Sequence, residues 1–110
     1  MSRQMFFKQP YLSQILSGEK DLEGRVGYGS IKKIHEGDIL LIQGKTPFRV
    51  VGINTYSSFN DAVSSENYRR LIPDAKSPAD AVAIYEKFYS LEKQKDLGVY
   101  ILQIAPVDGN

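Results

Sequence analysis

Seven residues, DILLIQG (Asp38–Gly44), constrain the fold more than any other part of this chain. They make a nearly continuous apolar run, the pattern of a strand buried on both faces. A tight Gly44-Lys45 connection leads into KTPFRVVGINTYSSF, so the two segments predict a β-hairpin. Pro47 lacks an N–H for the ladder and is expected near the start of that hairpin or on an edge.

The rest of the chain supplies further strands and a few helices. Arg3–Phe7 reads as a short strand, and Pro10 suits the first turn of a helix with Leu12, Ile15 and Leu16 at helical spacing. Gly18 closes that helix. Asp21–Val26 reads as extended, with Leu22 and Val26 on one face and Asp21, Glu23 and Arg25 on the other. Gly27-Tyr28-Gly29 and Gly37-Asp38 are turns. Ser58 followed by Asp61 resembles a capping box for a helix Phe59–Ser64. After the break IPDAKSPAD, Ser77 as N-cap, Pro78 and Asp80 begin a second clear helix. Along it Ala81, Ile84, Phe88 and Leu91 form one stripe, with Val82, Tyr85 and Tyr89 beside it. Tyr85, Phe88 and Tyr89 could stack on a base, but this spacing favours the core, above all for Phe88, and Tyr85 and Tyr89 are the ones expected to reach a pocket through their hydroxyls. Gly98–Pro106 is the closing strand. The order β-α-β-β-β-α-α-β has too few helices to cover both faces of a parallel sheet. An α+β fold around a mixed or closed sheet of about five strands follows, as a single domain over residues 1–110.

Composition removes several classes of function. With no cysteine there is no disulfide, thiol nucleophile or zinc-thiolate site, and a reducing cytoplasm is the expected compartment. One histidine, His35, cannot build a multi-histidine metal centre, so no metal or cofactor is expected. No apolar run approaches the about 20 residues needed to cross a bilayer. A net charge of +1 argues against a protein that coats nucleic acid electrostatically, so any such site has to be a local patch.

The candidate patch is Gly18-x-Lys20-x-x-Glu23-x-Arg25. On a strand, Glu23 and Arg25 leave the same face about 6.6 Å apart at the backbone. Long side chains close that gap, either as a surface ion pair or as a shared contact to a ligand. With Lys20, one guanidinium, one ammonium and one carboxylate could converge on a phosphate or small polar group. Burial could instead make the glutamate a general base or the lysine an activated amine. A second candidate is YSSF (Tyr56–Phe59), where a strand runs into a helix start whose free N–H groups suit an anion or a carbonyl. Tyr56, Ser57 and Ser58 add hydroxyls there, unless Ser58 simply caps the helix. No Gly-x-Ser-x-Gly surrounds either serine and His35 has no evident acid partner, so a serine-hydrolase triad is not indicated. KKIH (Lys32–His35) and Arg69-Arg70 read as solvated basic clusters.

The order of these motifs, with ILSGEK, LEGR, IHEGDILLI, VVGINTYSSFNDAV, LIPDAKSPADAVAIYEKFYS and GVYILQIAP in succession, resembles the ASCH (activating signal cointegrator homology) domain family over roughly Phe6 to Pro106. The resemblance implies a PUA-like mixed β-barrel of about five or six strands with two to three flanking helices. It implies binding of RNA or a modified nucleoside or nucleotide in a cleft beside the Gly-x-Lys-x-x-Glu-x-Arg segment, and a monomer is expected. Lys20, Glu23 and Arg25 match that signature residue by residue, and Tyr56, Ser57, Ser58 and Tyr85 are expected on the wall. Some family members are amidohydrolases that deacetylate N4-acetylcytidine with a lysine, a threonine and a glutamate. This chain keeps Lys20, has Glu23 where that subgroup has threonine, and offers Glu66 as a nearby glutamate. RNA or nucleotide binding is therefore the expected activity. The alternatives are a nucleoside amidohydrolase using Lys20 and Glu23, a ribonuclease, or a protein-interaction adaptor.

Overall fold

The predicted hairpin forms from β3 (Ile39–Ile42) and β4 (Thr46–Tyr56), paired antiparallel with Pro47 opposite Leu41 near the turn. The computed structural model describes residues 2–107. On the far side of β4 runs β5 (Val99–Pro106), and beyond it β2 (Leu22–Val26), both antiparallel to their neighbours. At the other edge β1 (Ser2–Met5) lies parallel to β3, giving the order β1-β3-β4-β5-β2. This five-stranded sheet curls into a half-barrel and leaves β1 and β2 as its edges.

Burial follows strand alternation. Val99 and Ile101 of β5 pack under the helices, whereas Leu102 and Ile104 point into the half-barrel with Leu40, Ile42, Phe48 and Val50. Central β5 is thus covered on both faces. The DILLIQG strand differs from expectation: Leu40 and Ile42 are fully buried but Ile39 and Leu41 only partly, because fewer elements cover its second face. The first strand is also shorter than Arg3–Phe7, since Phe6 and Phe7 leave the ladder.

The helices start where side chains satisfy their free N–H groups. Ser58 Oγ accepts from Asp61 N at the start of α3 (Phe59–Ser65), and Ser77 Oγ accepts from Asp80 N at the start of α5 (Pro78–Phe88). The first helix is α1 (Tyr11–Ser17). Three helices were not expected: α2 (Gly29–Lys32), α4 (Tyr68–Leu71) and α6 (Leu91–Leu97). Two of these are single turns, too short to show a period. The third takes the end of the apolar stripe read as one helix. Tyr89 turns extended at φ −134°, and Ser90 caps a new helix by accepting from Lys93 N. The stripe therefore breaks, leaving Phe88 51% and Leu91 68% exposed rather than in the core. No helix among the described residues is long and apolar enough to cross a membrane.

Candidate functional site

A glycine turn puts a lysine inside the protein. Gly18 ends α1 in the left-handed region at φ 91°, and the Lys20 N–H returns to the Gln14 carbonyl at 3.0 Å. That geometry turns the Lys20 side chain inward, where it is 1% exposed. Its Nζ donates to the Leu22 carbonyl at 2.7 Å, to the Leu71 carbonyl, and to Glu23 Oε1 at 3.0 Å. An ammonium has three N–H donors, and all three are used.

Glu23 is the hub of the group. Oε1 also accepts from Gly24 N at 3.1 Å, and Oε2 accepts from Arg25 Nε at 2.8 Å. Arg25 reaches across to the other edge of the half-barrel, where Nη2 donates to the Phe6 carbonyl at 3.0 Å and the guanidinium lies 4.9 Å from the Phe7 ring centroid. The group of two cations and one carboxylate keeps one positive charge. Burial pulls the Lys20 ammonium below its ordinary value, with the Glu23 carboxylate pulling the other way. Burial alone would raise Glu23, but Lys20 and Arg25 outweigh it and hold the carboxyl below its ordinary range.

Beside this group stands an aromatic stack. Tyr85 lies face to face with Phe59 at 4.3 Å between centroids, and Tyr89 also stacks with Phe59 at 5.5 Å. Gln94, 1% exposed, fixes the stack by accepting from Phe59 N at 2.9 Å and donating to the Tyr89 carbonyl at 3.2 Å. Gly24 lets the stack come against β2. A Cβ there would sit 2.8 Å from Phe59 Cε1 and 3.1 Å from Tyr85 Cζ, closer than packing allows. The Tyr85 hydroxyl is buried beside the Gly24 N–H, which already donates to Glu23, and makes no hydrogen bond. Burial, then the Glu23 charge, push it well above the ordinary phenol value, so it stays a protonated donor.

Lined by this group and by Tyr85 and Tyr89 of the stack, a cleft of about 300 Å³ opens. Lys20, Glu23, Gly24 and Tyr85 form its buried floor, half-buried Arg25 lies beside them, and Tyr11, Ile72 and Tyr89 form its sides. Exposed Phe6, Lys8 and Phe88 stand at its rim, with Phe7 buried below them. Such a site offers flat apolar walls and convergent hydrogen-bond donors, the features of a small-ligand pocket. Among the described residues no cluster of His, Cys, Asp or Glu could hold a metal ion.

Lys20, Glu23, Arg25 and Tyr85 are thus brought together. Tyr56, Ser57, Ser58 and Glu66 lie outside the cleft lining, because their polar atoms are committed to α3. Tyr56 Oη donates to Glu66 Oε2 at 2.6 Å, Asn54 Nδ2 donates to the same atom at 2.8 Å, Ser57 donates to Asp61, and Ser58 caps the helix. Sequence reasoning passed over Gly24, Tyr11, Ile72, Phe6 and Lys8, and it placed Phe88 in the core. A glycine within a strand pattern was the available signal for Gly24; Ile72 carried none.

The model of the ASCH domain family matches residues 5–108. The chain is similar to the crystal structure of hypothetical protein PH0355, with 33% identity, a TM-score of 0.91, and 97% of this chain and 100% of that one covered. It is also similar to the solution NMR structure of protein PF0455 from Pyrococcus furiosus, with 30% identity, a TM-score of 0.83, and 98% and 99% covered. None of the curated proteins matches the sequence.

Proposed function

This chain belongs to the ASCH domain family, and we propose that it binds RNA or a nucleotide by taking one unstacked base into the cleft between β2 and α5. One observation carries the reading: Tyr85, whose buried hydroxyl has no hydrogen-bond partner, lines a cleft with aromatic sides and a charged floor. A buried hydroxyl without a partner costs about 1–3 kcal/mol, and a ligand acceptor atom relieves that cost. Tyr89 and Tyr11 offer faces for stacking, and a base has a flat face on either side. Arg25, 23% exposed at the side chain, supplies the accessible cation for a phosphate or carbonyl. Lys20 acts from beneath: with its donors filled, it holds Glu23 and hence the Arg25 fork in place.

Fluorescence anisotropy with short single-stranded RNA at two salt concentrations tests this. Salt-sensitive binding is expected, weakened about tenfold by Tyr85→Phe, which removes one hydrogen bond and leaves the ring. No binding, or binding indifferent to both Tyr85→Phe and Arg25→Ala, overturns it.

The hydrolytic alternative uses the same floor, with Lys20 and Glu23 reacting, and its support is the depressed Lys20 value. Against it stand the three acceptors that hold the ammonium and the weak basicity of a carboxylate held below its ordinary range. Cytidine released from N4-acetylcytidine by the wild type, and abolished in a folded Lys20→Ala protein, would replace the binding reading.

A further inference from the structure

The rim of the cleft carries two large apolar side chains that folding has not covered. Phe6 is 60% and Phe88 51% exposed, and both line the mouth. Phe88 is nevertheless held in place: Tyr11 meets it edge to face at 6.5 Å, and Lys8 Nζ lies 5.9 Å from its ring centroid. A braced, exposed aromatic ring with a lysine beside it is the arrangement of a stacking platform for single-stranded nucleic acid. The cleft itself, at about 300 Å³, lies at the small end of ligand pockets and holds about one nucleoside. Any chain continuing from that nucleoside has to leave across the rim.

Resting on the nucleotide reading, we infer that Phe88 and Lys8 form a second nucleotide subsite, so that the ligand is a single strand of at least two nucleotides and not a free nucleoside. The neighbouring base stacks on the exposed face of Phe88. Lys8, on the chain between β1 and α1, contacts the phosphate that joins it to the base in the cleft. Arg25 supplies the second cation at the mouth, so the local charge suits the strand although the chain as a whole is only +1. Phe6, the other exposed aromatic of the lining, helps to screen the strand from water.

Calorimetric titration of the intact protein with uridine, cytidine and adenosine pentanucleotides, and with the matching nucleoside monophosphates, tests the inference. The best pentamer is expected to bind at least about tenfold tighter than its monophosphate. Phe88→Ala should shrink that ratio at least about fivefold, towards one, and Lys8→Ala should lower the salt slope by about 0.7 for the one lost phosphate contact. Equal affinity for pentamer and monophosphate overturns the second subsite and leaves the cleft reading standing. A Phe88→Ala protein that loses both ligands in equal measure also overturns it, since Phe88 would then belong to the first site. A stable dimer broken by Phe88→Ala assigns the rim to a second copy of the chain and overturns it as well. Wild-type protein that binds neither ligand class removes the nucleotide reading itself, and the subsite with it.

Discussion

Asp21 and Glu23 stand two residues apart at the start of one strand, and each makes a close ion pair. Asp21 takes Arg70 in a two-pronged contact at 2.7 and 2.8 Å. Glu23 takes Lys20 at 3.0 Å and Arg25 at 2.8 Å. By distance the surface pair is the better one. Solvent reverses the ranking, since both partners of the surface pair are 38% exposed, whereas Lys20 and Glu23 are 1% and 10% exposed. Water and salt screen the first pair, while the second has only its own members to offset the cost of burial. The surface clasp ties α4 to the turn before β2; the buried group forms the floor of a cleft.

Mutation separates the two pairs. Glu23→Ala leaves the Lys20 ammonium buried without its counter-charge and is expected to destabilise the protein by about 3–5 kcal/mol in denaturant unfolding. A loss below about 1 kcal/mol would mean that Lys20 is solvated. The acid side reads part of the same effect. Glu23 titrates below its ordinary value of 4.5 in the folded state, so its stabilisation is complete above that value and disappears as pH falls through the folded one. Stability measured from pH 7 down to pH 3 should therefore fall less steeply in Glu23→Gln than in the wild type. Gly24→Ala forces a methyl against Phe59 and Tyr85 and is expected to cost about 1–3 kcal/mol while displacing the stack. Asp21→Ala should cost about 0–1 kcal/mol, and 1 M salt should erase most of that difference.

The sequence showed these pairs unequally. Glu23 and Arg25 leave the same strand face by alternation, and the structure joins them. The burial of Lys20 was not legible, because it depends on the Leu71 carbonyl 51 residues away and on the Gly18 turn. Local patterns with side-chain caps, such as Ser58 with α3 and Ser77 with α5, were legible because cap and helix are neighbours in the chain. The Ala81–Leu91 stripe misled for the same reason in reverse: the period continues across Tyr89 while the backbone does not. The hydroxyls at Tyr56 and Ser57 suggested a wall of the cleft, yet Glu66 and Asp61 on the neighbouring helix engage them. Phe88 was assigned to the core and Phe6 to a strand because a sequence pattern cannot tell an exposed phenylalanine from a buried one.

The most direct test of the nucleotide cleft is an amide NMR titration with a mixture of nucleoside monophosphates. The account predicts the largest shifts at Lys20, Gly24, Arg25, Tyr85 and Tyr89, with Asn54, Tyr56, Glu66 and Arg70 little changed. Shifts concentrated at Tyr56 and Glu66, or no shift at the cleft with millimolar nucleotide, would contradict it.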